Sequence, residues 1–213
     1  MPEKKRSKME GLYCQKTIET YNQHANNKME EAGAFPPWER FLMPYLKAGD
    51  HILDLGCGDG HYSQVFQQAG FQISAMDAAP ALCQIAADKL GIPVRNLRFD
   101  QLEDIALYDA VWACCSLLHI PRHAMPDAFA RIATALKPAG YVYASYMEGE
   151  EEGWRGEFGT FMASMTEQAM RMVLSTIPIL RVIKVHHTPC KHQPQVQWIH
   201  FILEKNSHAE RNA

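Results

Sequence analysis

The chemistry-bearing residues of this chain lie in one glycine turn and a series of acids after it. In His51-Ile-Leu-Asp-Leu-Gly-Cys-Gly-Asp-Gly60 an apolar run ends in Asp54, and Gly56, Gly58 and Gly60 alternate with Cys57 and Asp59. Glycines at that spacing let the backbone turn tightly and bring its amides against a ligand. A G-x-G-x-x-G turn would offer such amides to a pyrophosphate. Here Asp54 and Asp59 would repel a pyrophosphate and suit a ligand with a cationic amino-acid end. Asp77 follows about twenty residues beyond the first glycine, where an acid closing a second strand reaches ribose hydroxyls. Further on, His119 is the first candidate for accepting or shuttling a substrate proton near neutral pH, followed by Tyr146 and His187.

These residues need an alternating frame of strands and helices. Before the turn, residues 12 to 32 read as an irregularly amphipathic helix with Tyr13, Ile18, Tyr21, Ala25 and Met29 near one face, and Pro36-Pro37 opens a second helical segment, Trp38 to Met43. The glycine turn leads into a helix over His61 to Ala69. Phe71 to Asp77 is a second strand, Pro80 to Leu90 a helix stopped by Gly91, and Pro93 to Leu102 a third strand with its turn. Tyr108 to Pro121 is the most apolar stretch, as a central parallel strand buried on both faces would be. Pro126 to Leu136 is the next helix, Tyr141 to Tyr146 the fifth strand, and Glu148 to Thr160 a glycine-rich acidic loop bearing Trp154 and Phe158. Thr166 caps a helix from Glu167 to Ser175, and two alternating segments, Ile179 to His186 and Gln195 to Glu204, end the fold. The run His186-His187-Thr-Pro-Cys190-Lys-His192 contains metal-ligating types, but its spacing matches no standard zinc pattern. It reads as a substrate-side loop, and no metal is expected.

The stretch Leu53-Asp-Leu-Gly-Cys-Gly-Asp-Gly60 resembles the first signature motif of the class I S-adenosylmethionine-dependent methyltransferases. The later motifs follow in order, so the resemblance covers residues 12 to 204. It implies a Rossmann-like, doubly wound α/β fold with a seven-stranded, mostly parallel sheet, an antiparallel last strand and an N-terminal helical lid. It implies S-adenosyl-L-methionine as cofactor and S-adenosyl-L-homocysteine as product. Asp54, Gly56, Cys57, Gly58 and Gly60 would cradle the cofactor, Asp77 with Ala78 would hold the ribose, and Asp100 with Gln101 would meet the adenine. Backbone carbonyls around Ala113 and Cys114 would hold the amino group, and Tyr21, in the lid position, would touch the methionine end. Lys137-Pro-Ala-Gly140 is similar to the family's Leu-Lys-Pro-Gly-Gly turn, with Ala139 in place of a glycine. Ser116-Leu-Leu-His-Ile120 resembles tellurite-resistance-type and related small-molecule methyltransferases, where His119 would face the substrate.

The 213 residues suit one domain with a sizeable core. Residues 1–11 read as a disordered basic tail, 12–48 as the lid, 49–147 as the cofactor-binding core, 148–204 as the substrate-side loop, helix and final strands, and 205–213 as a second tail. The formal net charge of -3 offers no basic field for nucleic acid, and no apolar run is long enough for a membrane span. The six scattered cysteines read as reduced thiols of a cytoplasmic protein. The expected acceptor is a small molecule, methylated at nitrogen, oxygen or sulfur by a monomer or homodimer. Two other readings stand beside it: a detoxifying methyltransferase for metalloids or chalcogens, and a non-catalytic cofactor-binding or partner-binding module.

Overall fold

The computed structural model describes residues 15–25, 36–155, 159–191, 193 and 195–207. The basic run 4–8, residues 12–14 and 26–35, and Phe158 and His192 lie outside the described residues.

Nine strands are present among them: β1 (His51–Leu55), β2 (Gln72–Asp77), β3 (Val94–Asn96), β4 (Tyr108–Ala113), β5 (Leu136–Met147), β6 (Glu152–Arg155), β7 (Thr160–Ala163), β8 (Leu180–Pro189) and β9 (Gln197–Lys205). The helices are α1 (15–23), α2 (His61–Gln68), α3 (Pro80–Leu90), α4 (Met125–Ala135) and α5 (Glu167–Leu174). Seven strands form one sheet in the order β3-β2-β1-β4-β5-β9-β8. β1 pairs in parallel with both β2 and β4, β4 in parallel with β5, and β9 runs antiparallel between β5 and β8. The chain therefore builds outwards from β1 in one direction, returns, and builds outwards from β4 in the other. The carboxyl ends of β1 and β4 flank that point of reversal, where doubly wound sheets hold their ligands.

Both faces of the central strands are covered. In β4, Val111 and Ala113 join Leu53, Val142, Ala144 and Phe201 under α4 and α5. Ala110 and Trp112 pack on the other face with Ile52, Tyr143 and Ile202, beneath Phe66 of α2 and Trp38. Trp112 stacks on Tyr143 with ring centroids 3.9 Å apart. This double burial is the physical reason for the unbroken apolar run in β4.

Several boundaries differ from the sequence expectation. Trp38 to Met43 forms two short 3-10 turns, Trp38–Phe41 and Met43–Tyr45, because Pro44 denies the amide that a longer helix needs. The third strand keeps only Val94–Asn96, and a 3-10 turn over Phe99–Gln101 follows it. The acidic loop folds back as the β6–β7 hairpin, which Arg122 anchors: its guanidinium donates to the carbonyls of Glu150 and Ser164, each at 2.9 Å. Trp154 lies in β6, edge-on to Phe161 and beneath the Lys16 ammonium. The strand ending at His186 in the sequence runs on through His187 to Pro189, so His187 belongs to β8 instead of a loop. Lys205, expected in the second tail, closes β9 and donates to the Leu136 carbonyl at 2.8 Å. Ala139 takes φ +60, the left-handed conformation for which a glycine would carry no strain.

Candidate active site

The glycine turn is built by backbone bonds and by crowding. The amides of Gly56 and Cys57 both donate to the Met76 carbonyl, at 2.8 and 3.0 Å, which fastens the end of β1 to the end of β2. Gly56, Gly58 and Gly60 have φ of +80, +57 and +78, so all three sit where side chains are strained. Their surroundings differ. A Cβ on Gly56 would come within 2.5 Å of Ser116 Cβ, and one on Gly60 within 3.1 Å of Ala86 and Leu90. A Cβ on Gly58 would meet nothing within 4 Å. Gly56 thus lets β1 and the loop after β4 touch, Gly60 lets α2 start close to α3, and Gly58 borders open space.

Asp77 ends β2 with both carboxylate oxygens facing amides. Oδ2 accepts from Gly58 N at 3.0 Å and Oδ1 from Ala79 N at 2.8 Å. Burial pushes its pKa up against the pull of those amides and of Ala78. A carboxylate has about four lone-pair sites, so accepting capacity remains beyond these amides for a hydroxyl donor.

The other acids at the turn are engaged within the protein. Asp54 is buried and accepts from Ser63 Oγ at 2.6 Å. Burial pushes its carboxyl up to about 7 despite that hydrogen bond. Asp59 is paired with Lys89 of α3. The two carboxylates that weigh against a pyrophosphate in the sequence therefore do not face the cleft as free charges: one fastens α2 beneath the turn, the other ties the turn to α3. Asp100 is half-exposed and bonded through both oxygens to Arg98, whose fork holds the carboxyl below its ordinary range. Gln101 closes the same turn, its Oε1 accepting from Arg98 N at 2.9 Å. Cys57 is buried with its thiol pushed up by burial, and its Sγ lies 3.7 Å from the Gly58 carbonyl oxygen.

The polar contacts by which the helix α1 lies against this edge include three side-chain hydrogen bonds. Asn22 Oδ1 accepts from Ala81 N at 2.8 Å in the first turn of α3, and Thr17 Oγ1 accepts from Phe161 N at 3.1 Å in β7. The third contact is between Tyr21 Oη and His119 Nε2, 2.8 Å apart. Ala25 packs beside Ala79 and Leu82, with Tyr21 against the same cluster. Burial, reinforced by the neighbouring Cys115 and the Asp77 carboxylate, pushes the Tyr21 phenol well above its usual range, so it is held as the neutral form.

His119 closes a 3-10 turn, Leu117–His119, just after β4. Its Nδ1 is 2.8 Å from the Phe161 carbonyl oxygen. A carbonyl can only accept, so the hydrogen-bond network assigns the proton to Nδ1. In the neutral ring Nε2 then carries the lone pair and accepts from the Tyr21 hydroxyl. The sequence placed His119 facing the substrate directly; the structure places the Tyr21 hydroxyl at its Nε2.

The remaining candidates are dispersed. Ala113 ends β4 and is buried, with Cys114 and Cys115 following it. Tyr146 is fully buried in β5, its hydroxyl without a partner among the described residues, and Ser116 Oγ is in the same condition. His187 sits on the edge strand β8, its Nδ1 3.1 Å from Glu148 Oε2. Sequence reasoning missed Ser63 beneath Asp54, Ser116 against Gly56, and the Phe161 carbonyl behind His119. These partners are 9, 60 and 42 residues away from the groups they serve, distances no local pattern records.

The chain is similar to known proteins in sequence and in fold. A family model described as "Methyltransferase domain" matches residues 23–178. The ubiquinone biosynthesis O-methyltransferase of Xanthomonas axonopodis pv. citri is 36% identical over 107 residues, covering 46% of this chain and 43% of that protein. The malonyl-[acyl-carrier protein] O-methyltransferase of Serratia marcescens is 28% identical over 110 residues, covering 50% and 42%. The chain thus spans less than half the length of the curated relatives it matches. Among solved structures, the 1,6-didemethyltoxoflavin-N1-methyltransferase of Burkholderia thailandensis, with bound 1,6-didemethyltoxoflavin and S-adenosylhomocysteine, aligns with a TM-score of 0.73 at 19% identity. That alignment covers 97% of this chain and 91% of that one. At such identity the likeness is one of fold.

Proposed function

Since the chain belongs to the methyltransferase domain family, of the class I S-adenosylmethionine-dependent kind, we propose that it moves a methyl group from S-adenosylmethionine to a hydroxyl oxygen of a small molecule. The observation that carries this reading is the Tyr21–His119 pair, because an alcohol or phenol must lose a proton as it is methylated, whereas a thiolate or neutral amine needs no such help. Bound S-adenosylmethionine would supply a methyl group already activated by its sulfonium charge, so the protein's work is alignment, desolvation and proton removal.

The residues present suit that donor. The remaining accepting capacity of Asp77 fits a ribose hydroxyl, and satisfying it would offset the burial of the carboxylate. Gly58 leaves room for a ligand against the backbone at the turn. Carbonyls at Ala113 and Cys114 lie at the carboxyl end of β4 for an ammonium group, and Asp100 with Gln101 lies beyond β3 for the adenine, Asp100 carrying Arg98 as its present partner. The Tyr21 oxygen would take the acceptor's proton as its own passes to His119 Nε2. The Phe161 carbonyl keeps Nδ1 protonated and the ring in register throughout. Tyr146 and Ser116 supply buried hydroxyls with hydrogen-bonding capacity to spare.

The O-methyltransferase relatives support oxygen as the acceptor atom over a metalloid. The test is an acceptor screen read by S-adenosylhomocysteine release, covering phenols, catechols, carboxylates, thiols, amines and metalloid oxyanions. Turnover with hydroxyl acceptors is expected. Release with metalloid oxyanions alone would favour the detoxifying reading, and donor binding without release from any acceptor would favour a non-catalytic module.

A further inference from the structure

Successive residues of an extended strand send their side chains to opposite faces. Cys114 and Cys115, directly after β4, depart from that rule. Cys115 has φ +50, a left-handed conformation that strains a non-glycine residue. Its amide holds the kink by donating to Ser145 Oγ at 2.9 Å. The result is two adjacent thiols gathered together, with their Sγ atoms 3.9 Å apart. Ser145 Oγ lies 3.7 Å from Cys114 Sγ and 3.6 Å from Cys115 Sγ.

The three donor atoms form a nearly equilateral triangle. Its corners lie about 2.2 Å from its centre, and a thiolate bond to a metal such as zinc is about 2.3 Å. A disulfide would require the two sulfurs about 2.0 Å apart. The spacing therefore suits two sulfurs sharing one soft centre better than a bond between them. Ser145 is fully buried and both cysteines are partly buried, so the triangle has a rigid floor. Backbone strain of this kind persists where the surroundings hold it in place, often at ligand sites.

We propose that Cys114, Cys115 and Ser145 form a binding site for a trivalent arsenical, the two sulfurs as covalent ligands and the serine oxygen at the third corner. With an arsenical R–As=O, two As–S bonds form, the As=O bond breaks, and the two thiol protons leave with its oxygen as one water. Arsenic stays trivalent, so no oxidant or reductant is needed. Two thiols on one centre act as a chelate, in which the second bond closes at high effective concentration.

The test uses the full chain, phenylarsine oxide and intact-protein mass spectrometry. One phenylarsenic adduct per chain is expected, stable to excess glutathione and stripped by ethanedithiol. Cys114→Ser and Cys115→Ser should each lower the glutathione resistance of the adduct by roughly 100-fold, whereas Cys57→Ser, Cys83→Ser and Cys190→Ser should leave it unchanged. Ser145→Ala should retain the adduct and lose it faster to glutathione. If one cysteine variant does not fold, the other decides. A resistant adduct that survives in either variant, or its absence from the unsubstituted chain, overturns the site. The measurement involves neither methyl donor nor acceptor, so its outcome is separate from that of the methyl-transfer proposal.

Discussion

The Tyr21 hydroxyl stands 2.8 Å from His119 Nε2, on a ring whose other nitrogen is committed to the Phe161 carbonyl. These two side chains are 98 residues apart, and their meeting joins α1 to the turn after β4. If this pair removes the acceptor's proton, Tyr21→Phe and His119→Gln should each lower kcat by roughly 100-fold or more. Donor affinity should be nearly unchanged in His119→Gln. Steady-state kinetics with an acceptor from the screen would check this; an unchanged kcat in His119→Gln would show that His119 only positions α1.

The glycines of the turn should differ in the harm caused by a methyl group. Gly56→Ala combines a left-handed φ with a 2.5 Å approach to Ser116 Cβ, and overpacking of that kind adds about 1–3 kcal/mol to the conformational strain. Gly58→Ala carries the strain alone, roughly 1–2 kcal/mol. Thermal melts should therefore show a larger loss for Gly56→Ala. Gly58→Ala should stay folded and lose donor affinity, because its methyl enters the open space where the donor is proposed to lie.

Asp54 makes stability depend on pH. Its folded pKa of about 7 lies above the ordinary 3.8, so between those values the folded state binds more protons than the unfolded state. Stability then falls as pH rises across that window and levels off above it. Asp77 is raised as well and adds a contribution of the same sign. Asp54→Asn should flatten the trend by a few kcal/mol, on the order of 1.4 kcal/mol for each pH interval of one within the window. Urea unfolding at about pH 5 and about pH 8 compares the two chains. Equal losses in both would contradict the assignment.

Ala139 gives a stabilising prediction. It adopts φ +60 in the turn before the central part of β5, and Ala139→Gly should relieve about 1 kcal/mol of strain. For a chain of this length that corresponds to a rise of about 2–4 °C in Tm. No change, or a loss, would mean that the greater freedom of glycine in the unfolded chain offsets the relief.

What could be read from the sequence follows how locally each feature is encoded. Pro80 and Gly91 bound α3, and Thr166 caps α5 with its hydroxyl on Ala169 N, because capping uses groups within a few residues. The doubly wound, mostly parallel sheet follows from the alternating βα pattern and the connection rules, whereas the order of its strands comes from the structure. The hairpin β6–β7 is hidden beneath glycine and acidic residues that read as a loop, since its anchor is Arg122, about thirty residues earlier. The charge argument at the turn is incomplete for the same reason: Lys89 and Ser63 engage its two acids from other elements. Long-range partners of single polar groups leave no periodicity to read.

The central claim is that the turn at Gly56 to Gly60, together with Asp77, holds S-adenosylmethionine. The most direct measurement is calorimetric titration of S-adenosylmethionine into the full chain and into Asp77→Asn. Hydrogen bonds to a charged group contribute roughly 1.5–3 kcal/mol each, so losing the carboxylate should weaken binding by about 100-fold or more. Saturable heat with the unsubstituted chain and a collapse of affinity in the variant is the predicted result. No binding by the unsubstituted chain, or equal affinity in both, would contradict the account.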